Sequence, residues 1–333
     1  MEATNKKIQL KKLIHGILTP LMDNDYLLLD LPYHCNLGDT LIWQGEKDYL
    51  STLPYRCLYR TSCGGNVAKA FKKISKETII LLHGGGNFGD LWPLHNAFRK
   101  KAHEMFPHQK TLILPQSVYY KSQGKLEEDA DFYMRYPNVT ICARDRVSFE
   151  ILTQYFPNNP KLLVPDMAFC MEMNSYRHIA NPEGIVFIKR LDKEINETIS
   201  YQEFPDDVYV SDWLFLSDSK EYVRLGTVKR WATRYDKLLG TDWKHSWVDY
   251  YWDRFLRPLF VNAAINFLDK YKHIYTTRMH AAILGVILGK DDITLYDNSY
   301  GKSSAFFDTW LNDVDGLRLV RSDGAKTYYY SPI

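Results

Sequence analysis

Short runs of β-forming residues alternate with helical patterns along most of the chain. In the first half these runs predict strands at Tyr26–Leu31, Tyr55–Tyr59, Thr78–His83, Thr111–Leu114, Val139–Ala143 and Lys161–Val164. The segments between them predict helices at Thr40–Tyr49, Asn66–Ile74, Leu91–Met105 and Arg146–Tyr155. Because parallel strands need long crossover connections, which are usually helices, this alternation predicts a doubly wound α/β sheet.

A second α/β series follows the polar, turn-rich segment Glu172–Gly184, which we interpret as a linker. The pattern predicts a strand at Ile185–Lys189, an irregular stretch to about Tyr222, and two further strands at His273–Thr276 and Ile293–Tyr296. It predicts helices at Thr227–Leu238, Val248–Tyr271, Arg278–Leu288 and Ser303–Leu311. At 333 residues the chain is long for one hydrophobic core. We therefore expect two Rossmann-like domains, residues 1–175 and 184–333, that face each other across a ligand-binding cleft.

The composition excludes several classes of protein. A net charge of +2 gives no indication of the basic surface that a nucleic-acid-binding protein needs. The cysteines are odd in number and lack paired metal-ligand spacing, which favours a reducing cytosol (Cys35, Cys57, Cys63, Cys142 and Cys170). No apolar run suits a signal peptide or approaches the roughly 20 residues of a membrane span. We expect a cytoplasmic protein; Lys6–Leu18 could lie on a membrane as a basic amphipathic helix, although an ordinary surface helix is favoured.

The stretch Ile79–Asp90, IILLHGGGNFGD, carries glycines from Gly84 onward at the spacing of a dinucleotide fingerprint. That fingerprint also needs an acidic residue at the end of the next strand, where it holds the ribose hydroxyls. Here that strand ends in Pro115 and Gln116, so we expect neither NAD nor FAD. Three consecutive glycines exceed what one tight turn requires, so we favour a loop that faces some other ligand.

Polar residues follow the first predicted strand in LPYHCNLGDTLIW, including His34, Asn36 and Asp39. Aspartate is a preferred N-cap residue, and a cap is the favoured interpretation of Asp39. The functional alternative is a carboxylate that faces the cleft from the carboxyl edge of the sheet.

The strongest local pattern is His273–Gly289, HIYTTRMHAAILGVILG. A strand ends at Thr276 or Thr277, a threonine caps the next helix, and Arg278, Met279 and His280 form its first turn. Free backbone N–H groups and the helix dipole favour an anion at such a turn. Two basic side chains there are unfavourable unless an anion faces them, so the pattern predicts a phosphate or carboxylate site.

Two further basic residues are predicted at the same edge of the second sheet. Arg190 ends the strand segment GIVFIKR, and Lys302 lies in YDNSYGKSS before a helix. Each alone is an ordinary surface charge. Together with Arg278 and His280 they form a convergent basic cluster.

The ordered motifs NLGDTLIW, LLHGGGNFGDLW, ILPQS, CARDRVSFEIL, VPDMAF, FIKRLDKE, TTRMHAAILG and DNSYGKSSAFFDTW make the chain resemble the polysaccharide pyruvyl transferases from about Tyr26 to Leu311. The resemblance implies a fold similar to that of GT-B glycosyltransferases. It also implies transfer of a pyruvyl group from phosphoenolpyruvate to a sugar, usually as a cyclic ketal. The acceptor can be free or linked to a lipid diphosphate, with assembly at the inner face of the membrane, and neither metal nor cofactor is expected.

The resemblance also implies roles for individual residues. Phosphoenolpyruvate is expected on the second domain, at Arg190, Arg278, Met279, His280 and Lys302. His280 is the expected general acid, and Asp39 the expected base or acceptor ligand. The first domain is expected to bind the acceptor, at Asn36, Asp39, Gly85, Gly86 and Asn87. Two alternatives stay open, namely a nucleotide-sugar glycosyltransferase of the same architecture and a non-catalytic sugar-binding protein of polysaccharide assembly.

Overall fold

The computed structural model describes residues 1–173, 176, 179, 182–191, 196, 199, 201, 204, 206–241 and 243–321. These residues form two compact units. The N-terminal unit comprises Lys12–Glu172 and Phe215–Asn262. The C-terminal unit comprises the described parts of Met1–Lys11, Met173–Leu214 and Ala263–Ile333.

The N-terminal unit is built on a parallel sheet. Its strands are β1 (Tyr26–Leu29), β2 (Cys57–Arg60), β3 (Ile79–Leu82), β4 (Gly85–Gly89), β5 (Thr111–Tyr119), β6 (Val139–Ala143) and β7 (Lys161–Leu163). They pair in parallel in the order β2-β1-β3-β5-β6-β7, and β4 pairs with the second half of β5. Every residue of β1 and of β3 is buried, as expected for parallel strands that are covered on both faces.

The helices up to Leu268, in chain order, are α1 (Ala3–Leu18), α2 (Leu37–Ser51), α3 (Pro93–Met105), α4 (Gln123–Met134), α5 (Arg146–Tyr155), α6 (Lys220–Leu239), α7 (Lys244–Tyr251) and α8 (Arg257–Leu268). A π-helical turn, Trp252–Leu256, joins α7 to α8. Short 3-10 turns lie at Thr19–Leu21, Val67–Lys72 and Met167–Cys170. No helix in the described residues combines the length and the apolar character needed to cross a bilayer.

Helix α7 and the π-helical turn that follows it are joined to the rest of the N-terminal unit by polar side chains. Asp249 of α7 is buried and accepts a hydrogen bond from Thr61 Oγ1 at 3.2 Å. Burial disfavours the charged carboxylate and raises the pKa of Asp249 to about 7. Hydrogen bonds from Tyr33 and Thr61 act in the opposite direction, because they favour the charged form, but they have the smaller effect. Asp253, in the π-helical turn, pairs with Lys47 at 3.0 Å and with Arg60 at 3.1 Å.

The C-terminal unit has its own parallel sheet. Its strands are β8 (Ile185–Ile188), β9 (Tyr209–Ser211), β10 (His273–Thr276), β11 (Ile293–Tyr296) and β12 (Leu317–Val320), in the order β12-β11-β10-β8-β9. Helix α9 (Met279–Ile287) follows β10, and α10 (Lys302–Phe306) follows β11 and continues as the π-helical turn Phe307–Leu311. A Cβ at Gly285 of α9 would lie 2.6 Å from Ile293 Cδ1, so this glycine lets α9 pack closely on the sheet.

The expected α/β architecture with parallel sheets is confirmed. The predicted division into residues 1–175 and 184–333 is continuous in sequence, whereas Phe215–Asn262 groups with the N-terminal unit and Met1–Lys11 with the C-terminal unit. The glycine segment differs from the expected loop, because Gly85–Gly89 forms β4. Helix α4 and strands β9 and β12 were not among the predicted elements.

The close contact between α2 and the turn Met167–Cys170 provides a test of the packing. A Cβ at Gly45 would overlap the carbonyl oxygen of Met167, so we expect Gly45→Ala to lower the free energy of unfolding by about 1–3 kcal/mol. Gly226 of α6 is the matched control, since a Cβ added there would meet no atom of the described residues within 4 Å beyond its own helix. At that position alanine should stabilise the helix by up to about 1 kcal/mol. Urea denaturation followed by circular dichroism measures both, and equal effects would refute the packing assignment.

Candidate functional site

The basic residues predicted to bind an anion collect at the carboxyl edge of the C-terminal sheet. Arg190 lies two residues after β8, Arg278 lies two residues after β10, and Lys302 begins the helix that follows β11. Strands β8, β10 and β11 are neighbours in the sheet. The structure therefore places these residues at the same edge of the C-terminal sheet.

Arg278 is held in place by a carboxylate that the sequence did not reveal. Its Nε and Nη2 atoms lie 2.8 and 2.6 Å from the two oxygens of Asp212, which directly follows β9. Asp212 also accepts backbone N–H bonds from Trp213 and Leu191. Burial raises the pKa of Asp212, but these bonds and the Arg278 charge outweigh it and lower the pKa overall. The guanidinium is therefore oriented by a fixed anion on one side.

The turn between β10 and α9 presents backbone N–H groups at this edge. Thr276 Oγ1 accepts the Arg278 N–H at 2.9 Å, and Thr277 Oγ1 accepts the Arg190 N–H at 2.8 Å. Arg278 is the N-cap residue, so the expected threonine cap is wrong. Met279 and His280 form the first turn ahead of the first intrahelical hydrogen bonds, which Ala281 and Ala282 donate to the Arg278 carbonyl. This arrangement suits an anion.

Lys302 is positioned by the loop that precedes it. Its backbone N–H donates to Asn298 Oδ1 at 2.7 Å, and its Nζ lies 3.4 Å from the Tyr300 hydroxyl. Asp297, at the end of β11, accepts N–H bonds from Asn298 and Ser304. Burial raises the pKa of Asp297 despite those bonds. The loop is thus ordered by its own polar side chains.

In the N-terminal unit the predicted acceptor residues also lie at a carboxyl edge. Asn36 is the N-cap of α2, where its side chain accepts the Gly38 N–H at 3.0 Å and donates to Asp39 Oδ2 at 2.8 Å. Asp39 is therefore not the cap, contrary to the favoured interpretation. Its carboxylate lies in the first turn, half-buried and 3.7 Å from His34 Nε2. A Cβ at Gly85 would lie 3.7 Å from Asp39 Oδ1, so the structure brings Asp39 and the glycine segment together.

The glycine segment itself is fixed by internal hydrogen bonds. The Gly84 N–H donates to Glu46 Oε1 at 2.8 Å. Gln116 donates to the His83 carbonyl at 2.7 Å and accepts a 3.4 Å bond from the Asn87 N–H. A dinucleotide fingerprint would have a ribose-binding carboxylate where this chain has Gln116. Here Gln116 binds the glycine segment instead. Gly86, like Asn87, is half-buried.

Hydrogen bonds from within the N-terminal unit hold Asn87. Both its backbone carbonyl and its side-chain oxygen accept hydrogen bonds from Arg99. Arg99 is buried and also pairs with Asp30 at 3.1 Å. Asn87 therefore belongs to an internal polar network, formed with Arg99 and Asp30, that supports the edge proposed to bind the acceptor.

Sequence reasoning missed the pair formed by Asp30 and His95. Asp30 directly follows β1, is fully buried, and has a φ of 65°, a left-handed conformation that is strained for aspartate. Its Oδ1 lies 2.7 Å from His95 Nδ1, so the carboxylate orients the imidazole and leaves Nε2 as the nitrogen that could exchange a proton. The signal available in the sequence was an aspartate that ends the apolar run YLLL.

Cys63 lies beside this pair. One ligand atom each from Asp30, Cys63 and His95 falls within 4.8 Å of the others, which is a metal-like spacing. The Arg99 guanidinium bound to the same carboxylate opposes a cation there. The group is therefore better suited to orienting His95 than to holding a metal.

Comparisons with known proteins identify the family of this chain. The family model described as polysaccharide pyruvyl transferase matches residues 36–291. The chain is 30% identical over 304 residues to pyruvyl transferase 1 of Schizosaccharomyces pombe, covering 88% of this chain and 72% of that protein. It is 29% identical, over 98% of both chains, to EpsO of Bacillus subtilis (strain 168), a protein assigned only provisionally as a pyruvyl transferase.

The fold has a counterpart among crystal structures. The uncharacterized protein KP1_0663 from Klebsiella pneumoniae subsp. pneumoniae NTUH-K2044 is similar with a TM-score of 0.59 and 21% sequence identity. The similarity covers 95% of this chain and 99% of that one. It supports the architecture described above.

Proposed function

Because the chain belongs to the polysaccharide pyruvyl transferase family, we propose that it transfers a pyruvyl group from phosphoenolpyruvate to a sugar of a polysaccharide or of its lipid-linked precursor. The product is a pyruvate ketal, and phosphate is released. The observation that best supports this donor is the basic edge of the C-terminal sheet, where Arg190, Arg278 and Lys302 follow the neighbouring strands β8, β10 and β11. Phosphoenolpyruvate carries two anionic groups, which several convergent cations and N–H groups can hold.

The proposed reaction assigns the residues as follows. Arg190, Arg278, Lys302 and the N–H groups of the first turn, including that of Met279, hold the phosphate and the carboxylate. His280, in the same turn, donates a proton to the methylene carbon, and a sugar hydroxyl attacks C2 of the resulting cation. The C2–O bond to phosphate breaks, and a second hydroxyl closes the ketal ring.

Each attacking hydroxyl loses a proton, and the N-terminal unit supplies two groups that can take one. Asp39, held by Asn36 beside Gly85, is one candidate base or acceptor ligand. His95, oriented by Asp30, is the other. One released proton balances the proton added to the methylene, and phosphate takes the other. The acceptor sugar itself is proposed to lie against Asn36, Gly85, Gly86 and Asn87.

The product of the reaction tests this function directly. The protein is incubated with phosphoenolpyruvate and an acceptor glycan, and the glycan is analysed by mass spectrometry and proton NMR. A ketal adds the mass of pyruvate less water and gives a methyl singlet, whereas an enol ether of the same mass shows vinyl protons. A parallel incubation with nucleotide sugars tests for a glycosyltransferase, whose product gains a sugar. An unchanged glycan in every incubation supports a non-catalytic role.

Donor binding depends on Arg278 in this proposal. Arg278→Ala should weaken phosphoenolpyruvate binding by about 2–4 kcal/mol, because a partner is lost from a desolvated anion. Isothermal titration calorimetry measures the affinity. The matched control is Arg318→Ala, since Arg318 of β12 is an exposed arginine that pairs with Asp292 and should leave the affinity unchanged. Equal affinities for wild type and a folded Arg278→Ala protein would remove the donor from this edge.

His280 should matter more for chemistry than for binding. His280→Ala removes one of several anion contacts, but arginine cannot replace a proton donor at neutral pH. We expect kcat to fall by about 10²–10⁴-fold, with a smaller change in donor affinity. His280→Arg, which keeps the positive charge, should be as slow as His280→Ala. Full turnover by the arginine variant would show that His280 only neutralises phosphate.

A further inference from the structure

Large apolar side chains are exposed on α6, α7 and the residues that flank them. Of the 22 exposed large hydrophobic residues in the described part of the chain, ten lie in this segment, and we call them the aromatic surface (Phe215, Val223, Trp231, Tyr235, Leu238, Leu239, Trp243, Trp247, Tyr250 and Phe255). The remaining twelve are scattered over the other elements. A concentration of this kind marks an interaction site on a protein surface.

Most of the large apolar residues of helix α6 are exposed, and few of its residues are buried. Trp231 is 56% exposed and Leu238 is 80% exposed. They are seven residues apart and so lie on one face of the helix. Its buried residues, Leu225 and Ala232, lie on another face. The exposed part of α6 thus carries large apolar side chains among its charged ones, and water does not favour leaving apolar side chains of this size exposed.

Helix α7 continues this surface. Trp243, Trp247 and Tyr250 recur at helical spacing, and each is more than half exposed. The start of α7 is bound to α6, because Asp236 of α6 accepts N–H bonds from Trp243 and Lys244 at 2.6 and 2.9 Å. Another face of α7 buries Asp249 against Thr61. The aromatic faces of both helices therefore point away from the buried side of the pair.

Basic side chains are interleaved with these apolar groups. Helix α6 contains six lysines and arginines against two acidic residues, for a net charge of +4, whereas the whole chain carries +2. One of the two acidic residues, Asp236, is occupied in capping α7. The Arg234 guanidinium lies 5.7 Å from the centre of the Trp231 ring. The aromatic surface is therefore also the site of a strong local positive charge.

We propose that the aromatic surface docks on an anionic lipid bilayer. Tryptophan and tyrosine favour the membrane–water interface, where an apolar ring meets a wet boundary. Leu238 and Leu239 can enter the acyl chains, and the interleaved lysines and arginines can contact the lipid phosphates.

Binding partners other than an anionic bilayer are less well suited to the aromatic surface. A second copy of this chain docked on the same surface would bring together two copies of α6, each with a net charge of +4, which like-charge repulsion opposes. The bases of a nucleic acid could stack on the aromatic rings, but a nucleic acid has no apolar region into which the exposed Leu238 and Leu239 could insert. The N-terminal helix is not an alternative membrane contact through its apolar stripe, because Leu10, Ile14 and Leu18 of that stripe are buried.

Vesicle binding tests the proposal without donor or acceptor, so its outcome is independent of the proposed enzymatic function. The full chain is sedimented with vesicles of phosphatidylglycerol and phosphatidylcholine, or of phosphatidylcholine alone. Binding is expected to the anionic vesicles, with weakening at high salt and a blue shift of tryptophan fluorescence. We expect the double variant Trp231→Ala/Leu238→Ala, and separately Arg230→Glu/Arg234→Glu, to reduce binding by about tenfold or more.

The matched control is Leu94→Ala, since Leu94 of α3 is 76% exposed but lies outside the aromatic surface. It should bind as wild type does. Thermal unfolding shows whether each variant is folded, and light scattering after gel filtration gives its oligomeric state. Absent binding, unchanged binding by both folded double variants, or a loss of self-association in those variants would each overturn the proposal.

Discussion

Parallel pairing determines where the chemistry of this protein can lie. In both described sheets neighbouring strands run in the same direction, so every strand of a sheet ends at the same edge. A polar residue placed one or two positions after a strand is thereby brought beside its counterparts from neighbouring strands. In the N-terminal unit, Arg99 joins Asp30, which follows β1, to Asn87 of the glycine segment. In the C-terminal unit, Arg278 pairs with Asp212, and Thr277 accepts the backbone N–H of Arg190.

Each edge is also made rigid by partners within its own unit. Arg278 is oriented by Asp212, and Asn87 is held by Arg99, which in turn pairs with Asp30. Such fixed polar groups need no reorganisation when charge develops on a bound molecule, which is the condition under which electrostatic stabilisation is most effective. Glu46 and Gln116 likewise hold the glycine segment and the residue before it from the protein side.

Much of this organisation could be predicted from the sequence. The period of apolar residues located β10 and β11 with their observed bounds, and the residues after them placed Arg278 and Lys302 at one edge. Asp212 could not be found in this way, because it follows a three-residue strand within a stretch without periodicity. Helix α4 escaped prediction because its charged sequence, QGKLEEDADFYM, shows little apolar periodicity. The assignment of α6 and α7 to the N-terminal unit depends on contacts such as Lys47–Asp253, whose partners are 206 residues apart in the chain.

The placement of the donor is the central claim, and a crystal structure with phosphoenolpyruvate, determined without any acceptor, tests it most directly. The phosphate is predicted to lie against the N–H groups of Met279 and His280, with Arg278 within hydrogen-bonding distance and the methylene carbon facing the His280 imidazole. Phosphoenolpyruvate bound instead at the glycine segment Gly85–Gly89, with the first turn of α9 not in contact with it, would contradict the claim.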